Sequence, residues 1–110
     1  MPENQNVFVV TTPFVPNYEI KEVKGLVWAS SVKAKFILED IIATFRILLG
    51  GNIPEYWHLI DEARREVLRE LTENAKKMDA DAVISFKLMS SQIVPGTIEI
   101  MGYGTAVKLK

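Results

Sequence analysis

Cysteine is absent from these 110 residues, and histidine occurs once, at position 58. The first absence excludes disulfides, thiolate metal centres and cysteine nucleophiles together. Charge of one sign is not in excess: 13 basic side chains stand against 14 acidic ones, a formal net charge of -1. A general nucleic-acid binder carries a basic surplus, and no RNA-binding aromatic motif stands in for it, so no nucleic-acid partner is expected. Long apolar runs are missing too. The longest apolar region, Phe36 to Leu49, holds Glu39, Asp40 and Arg46 and falls short of the ~20 residues of a spanning helix. The opening Met-Pro-Glu-Asn-Gln-Asn lacks the basic and apolar stretches of a secretory signal. The expectation is a soluble, cytoplasmic protein with no membrane partner.

Catalytic signatures are equally scarce. No Gly-x-Ser-x-Gly elbow surrounds Ser30, Ser31, Ser85, Ser90 or Ser91, and a nucleophilic serine needs a base and an oxyanion hole beside it. Gly50-Gly51 precedes a helix, yet no Gly-Lys-Ser/Thr follows, so the phosphate-cradling loop is missing. Only the dipole of that helix would attract an anion there. No repeat, low-complexity tract or linker divides the chain. A single domain over residues 1–110 is expected, with residues 1–6 frayed.

What is present suits one core: 48% of the residues are hydrophobic. Val7-Phe8-Val9-Val10 reads as a strand closed by Pro13 and Pro16, because proline cannot donate to a ladder. Tyr18 to Ser31 reads as a second extended segment, with Gly25 marking a bulge or a close backbone approach. Lys33 to Leu49 reads as a helix that is apolar on most sides, which calls for burial on most sides. A 110-residue monomer has little interior to offer it, so a second subunit is the simple cover. Gly50-Gly51 stops that helix.

Pro54 to Met78 is the clearest helix. Asn52 can cap it, Pro54 suits its first turn and Glu55 complements the dipole. Its apolar face collects Ile53, Tyr56, Trp57, Ile60, Ala63, Val67, Leu68, Leu71, Ala75 and Met78. Asp61 with Arg65 and Glu73 with Lys77 stand at ion-pairing distance along the opposite face. Asp81 to Ile93 and Thr97 to Lys110 read as strands joined at Val94-Pro95-Gly96. Ile84, Phe86 and Leu88 alternate onto one face. Gly102 and Gly104 weaken the last strand unless a bulge or a crowded contact requires them.

The metal-ligand candidates are His58 and Glu62, one helical turn apart. Two ligands on one helix leave a tetrahedral site incomplete, and copies in a symmetric assembly are the way to complete it. The competing reading is an exposed histidine beside carboxylates. Glu39, Asp40 and Arg46 are either a solvated strip and interface ion pairs or the lining of a ligand pocket. Tyr56 and Tyr103 are either packed aromatics with hydroxyls at the edge or groups that orient a ligand, and packing is favoured for them as for Trp28 and Trp57.

Gly25-Leu26-Val27, the helix end at Gly50-Gly51, Tyr56, Glu62-Ala63-Arg64, Ala80-Asp81-Ala82-Val83 and Gly104-Thr105-Ala106-Val107 follow one another in order. This ordered set resembles the YbjQ-like family over roughly residues 7–109, a family described as heavy-metal-binding. The resemblance implies an α+β fold of the dodecin-subunit type: a two-layer α/β sandwich with a small antiparallel sheet, one long helix and one shorter apolar helix. It also implies a homopentamer. The chain departs from the family pattern at Trp28-Ala29-Ser30-Ser31, at Trp57-His58 and at Asp79, which stands where glycine usually ends the long helix. Aspartate tolerates the left-handed conformation needed there. The functional expectation is an oligomeric, non-enzymatic binding module for a metal or small ligand, of unspecified cofactor. The alternatives are a structural or protein-interaction subunit without ligand, and an enzyme whose site is shared between subunits.

Overall fold

A computed structural model of the chain describes residues 7–34, 54–92 and 97–110. β-branched and small residues dominate Ile20–Ala34, and they form one long strand, β2. It follows the short strand β1 (Phe8–Val9). Helix α1 spans Pro54–Lys77, and strands β3 (Ala82–Ser91) and β4 (Thr97–Leu109) complete the order. The four strands make one sheet in the order β1-β3-β4-β2. β4 pairs antiparallel with both β2 and β3. β1 runs parallel to β3, so the sheet is mixed rather than antiparallel throughout. The parallel pairing is possible because the whole of β2 and α1 separates the two strands in sequence, and parallel strands need a long crossover.

The helix expected at Lys33–Leu49 lies outside the described residues from position 35 onward. Its first two positions are strand instead: Lys33 pairs with Ile98 and Ala34 with Thr97. Nothing local separates helix from strand in Val32-Lys33-Ala34, and the partner strand decides the matter.

Helix α1 lies on the sheet through a stripe at four-residue spacing. Ala63, Val67, Leu71 and Ala75 are wholly buried. They meet Val27 and Ala29 of β2, Val83 of β3, and Ile100 and Ala106 of β4. Each fully buried valine or leucine contributes about 1.5–3 kcal/mol relative to an exposed one. Ile60 and Met78 flank the stripe half-buried. Leu68, expected on this face, is 40% exposed, because it sits one residue, and so ~100° of helix rotation, beyond Val67. Ile53 and the side chains of Tyr56 and Trp57 are outside the description.

Gly102 and Gly104 are set by crowding. A β-carbon at Gly102 would stand 2.8 Å from Val67 Cγ1 and 2.8 Å from the Phe86 ring. At Gly104 it would stand 2.5 Å from Val83 Cγ1 and 2.9 Å from the Ile84 carbonyl oxygen. Glycine is therefore what lets the helix and the neighbouring strand close on β4.

The alternation expected of Ile84, Phe86 and Leu88 is broken. Ile84 pairs with Thr105 but Lys87 with Tyr103, so β3 carries an extra residue between them. Ser85 there has a φ of 54°, a conformation uncommon outside glycine. The bulge turns its donors away from β4: Ser85 N–H donates to the Thr12 carbonyl at 2.9 Å and Phe86 N–H to the Val10 carbonyl at 3.0 Å. Ile84 consequently faces away from the helix, in a second cluster with Val15, Ala82 and Val107, while Leu88 pairs with Gly102 on the helix side. The single-residue slip moves the later side chains to the opposite face. Gly25 meets its expectation, with a register shift between Val23 and Gly25 and a φ of 127°.

The end of α1 is a Schellman motif. Ala80 N–H donates to the Ala75 carbonyl at 3.1 Å and Asp79 N–H to the Lys76 carbonyl at 2.9 Å. Asp79 takes the left-handed position, φ 61°, as its side chain permits. Lys108 ties this corner to β4 through Asp79 Oδ1 at 3.2 Å and Asp81 Oδ1 at 3.6 Å, and the hydrogen bond to Asp79 holds its ammonium pKa above the ordinary lysine value.

Overpacking predicts an ordered pair of costs. Gly102→Ala should lower stability by about 1–3 kcal/mol, and Gly104→Ala by more, because the Ile84 carbonyl cannot rotate aside as a side chain can. Urea unfolding at fixed protein concentration measures both. The Val67→Ala change should relieve part of the Gly102→Ala cost, so a strictly additive double variant would contradict this account.

Candidate functional site

The inner end of β2 and the middle of α1 meet through charge. β2 presents Ser31 and Lys33 to the helix side, in line with buried Val27 and Ala29. Helix spacing puts Glu62 and Glu66 one turn apart on α1. Lys33 Nζ reaches Glu62 Oε1 at 3.2 Å and Glu66 Oε1 at 2.9 Å, and Ser31 Oγ donates to Glu66 Oε1 at 3.5 Å. The hydrogen bond from Lys33 holds the Glu66 carboxyl below the usual carboxylate range, against some desolvation. The same bonds, to Glu66 and then Glu62, hold the Lys33 ammonium above its ordinary value. Sequence reasoning missed this cluster because it placed Lys33 at a helix start.

His58 and Glu62, the metal-ligand candidates, are both exposed on α1. Glu62 is engaged by the Lys33 ammonium, so a divalent cation there would stand beside a like charge. Among the described residues no group of three or more histidine, cysteine, aspartate or glutamate side chains converges. The donors of a single chain, within those residues, do not fit a heavy-metal centre, which needs about four ligands. Glu39, Asp40 and Arg46 lie outside the described residues.

The face of the sheet away from α1 is different in kind. The segment Val10–Val15 covers one end of it, over Ala82, Ile84 and Val107. Beyond that cover the register aligns Trp28 with Tyr103 and Lys87, and Ser30 with Met101 and Met89. Leu26, Trp28, Val32 and Met89 are exposed here, Trp28 by 58%. Tyr103 and Met101 are half-buried between them. Trp28, expected to pack, thus stands on the open face, because the helix occupies the side to which Val27 and Ala29 point.

On the surface of α1, Arg65 Nε meets Asp61 Oδ2 at 2.9 Å, as its spacing predicts. Glu73 and Lys77 form no such pair among the described residues. Exposed ion pairs of this kind return so little energy that spacing alone does not secure them.

The sign of the pH response follows from the Lys33 cluster. Glu66 titrates lower in the folded chain than in the unfolded one, so its share of stability is complete above the ordinary carboxylate range and is lost as pH falls through the depressed folded value. Lys33 titrates higher when folded, so its share is complete below the ordinary lysine range and is lost as pH rises through the raised folded value. In Lys33→Met the Glu66 midpoint, followed by NMR titration, should move upward, and the stability difference from the parent should shrink in acid. A Glu66 midpoint that stays put would refute the pairing.

Comparison with known proteins places this geometry in a family. A UPF0145 protein of Fervidobacterium nodosum is 45% identical over 104 residues, covering 94% of this chain and 96% of the relative. A UPF0145 protein of Archaeoglobus fulgidus is 38% identical over 106 residues, covering 96% and 98%. A UPF0145 protein of Pyrococcus furiosus is 44% identical over 101 residues, covering 92% and 89%. Among solved structures, a protein of unknown function of the DUF74 family from Pediococcus pentosaceus superposes with a TM-score of 0.61 at 22% identity, covering 96% of this chain and all of that one. At that identity the likeness speaks for the fold alone. A family model described as "Putative heavy-metal-binding" matches residues 7–110, and with these relatives alongside it the chain belongs to the YbjQ_1 family.

Proposed function

We propose that the chain is one domain acting as the subunit of a cytoplasmic, non-enzymatic homo-oligomer that binds a small ligand or a metal between subunits. The observation that carries the reading is the open sheet face, where Leu26, Trp28, Val32 and Met89 lie exposed together. Scattered apolar residues on a surface are ordinary, whereas a contiguous set marks a contact surface. A second copy is the proposed occupant, since a chain of this size gains most from subunit contacts. The family resemblance makes the number five and the subunit dodecin-like, with the sheet and helix as its two layers. Any metal would be held by donors from more than one copy, since one chain's described donors fall short.

The structural-subunit alternative draws on a specific contact. Lys33 occupies Glu62 and Glu66, so the carboxylates nearest His58 serve the fold. Zinc and nickel calorimetry on the parent and on His58→Ala separates the readings. Loss of binding in the variant would assign His58 to a shared site, and equal binding would remove it.

Assembly itself is tested by light scattering at two concentrations, with native mass spectrometry of gently purified protein to count subunits and retained ligand. The parent should have a mass several times that of the chain. Trp28→Glu with Val32→Glu should shift it towards the monomer while circular dichroism stays unchanged, because both residues are exposed in the single chain. A parent that is monomeric throughout would sink the proposal.

A further inference from the structure

Where the edge strand β2 passes the last turns of α1, a groove of about 360 Å³ opens, lined by Leu26, Val27, Trp28, Asn74, Lys77 and Met78. That volume falls within the usual range of small-molecule sites, ~300–1,000 Å³. Its wall is apolar except at two places. Asn74 is already committed, its Nδ2 donating to the Trp28 carbonyl at 3.1 Å; this bond fixes the helix against the strand edge and gives the groove its shape. Lys77 is not committed. It makes no ion pair among the described residues, although Glu73 stands one turn earlier. No acidic side chain lines the groove.

A cation in the last turn of a helix is favoured by the dipole wherever it points, and Lys76 satisfies that rule as well as Lys77. The dipole does not account for an ammonium with no acidic partner among the described residues at the rim of an apolar groove. A lysine there lays its methylene stem on apolar surface and keeps its charge at the water boundary. An occupant with an apolar body and one negative head complements both parts at once.

We infer that the groove along the edge of β2 beside the end of α1 binds a small amphipathic anion, its apolar body along the strand at Leu26 and Trp28 and against Met78, and its acidic head on the Lys77 ammonium. The inference goes beyond the assembly reading but shares Leu26 and Trp28 with it: the groove is formed by one chain on the α1 side of β2, and it requires that a copy seated on the opposite face leave that side open. A neutral apolar ligand would fill the groove without using the lysine. A simple inorganic anion would use the lysine without filling the groove.

The test uses the protein as it assembles in solution, with two dyes of the same aromatic body: anilinonaphthalene sulfonate, which carries the charge, and phenylnaphthylamine, which does not. Energy transfer from Trp28 shows that the dye lies near that side chain, and its loss in Lys77→Gln assigns it to the groove rather than to the open face; transfer is read in a Trp57→Phe background, and as the signal lost in Trp28→Phe should the first variant fail to fold. The sulfonate should bind with transfer from Trp28, and Lys77→Gln should weaken it about fivefold at low salt, the worth of one exposed ion pair. The same substitution should leave the uncharged dye unchanged. Octanoate should displace the sulfonate more effectively from the parent than from the variant. Sulfonate binding that ignores Lys77→Gln, or that gives no transfer from Trp28, overturns the inference. So does an equal loss for both dyes, which would mean a damaged groove rather than a lost charge. Lys77→Gln should leave the subunit number unaltered, so a failure here is distinguishable from a failure of the assembly reading.

Discussion

The descent of α1 onto β4 at Gly102 is the constraint on which the other features depend. Val67 occupies the volume that a side chain at Gly102 would need, and the small residues Ala63 and Ala75 keep the rest of the stripe equally close. Interiors are packed at crystalline density, so a helix lifted by one methyl group loses contacts along its whole length. The polar links between helix and sheet are set by the same distance. Asn74 reaches the Trp28 carbonyl, Glu66 reaches Lys33 and Lys108 reaches Asp79 only because the stripe has already closed. Burial does the bulk of the work, and the hydrogen bonds fix angle and register.

The sequence was legible where the determining information is local. The 3.6-residue period of Ile60, Ala63, Val67, Leu71 and Ala75 announces α1 and its buried stripe, and the resemblance, with Asp79 in the place of the usual glycine, implied a left-handed stop that its φ bears out. The two glycines of β4 could be read as crowded positions, though not which atoms crowd them. Illegible were features set by residues distant in the chain. The bulge at Ser85 exists because Val10 and Thr12 accept its donors, so the apparent alternation of Ile84, Phe86 and Leu88 misleads. Lys33 became a strand residue through pairing with Ile98. The Lys33 cluster followed from that pairing and so was missed with it. The parallel seat of β1 has no local signal at all. On the site side, His58 and Glu62 were placed correctly on one helix, but the ammonium that meets Glu62 was not foreseen, and Trp28 turned out to face the open side.

The two faces of the sheet divide the chemistry. On the helix side, charge is paired: Lys33 meets Glu62 and Glu66, and its hydrogen bond holds the Glu66 carboxyl below the usual carboxylate range. Lys33 occupies the carboxylates nearest His58, so the cluster is better suited to holding shape than to exchanging ligands. On the far side the chain leaves apolar surface and few charges. Recognition there would proceed by shape and area.

The unequal edges of the sheet have a consequence for symmetry. β1 offers an edge of two residues, cut off by the bends before Pro16, whereas β2 offers one of 15. A sheet with two long edges can add copies indefinitely and form a fibre. Among the described residues this sheet has one, so β2 joined to another β2 is isologous and closes at a pair. Any ring of more than two subunits must therefore be heterologous, matching β2 or the apolar face to some different patch of the next copy, and it is the rotation between those unlike patches that would count the members.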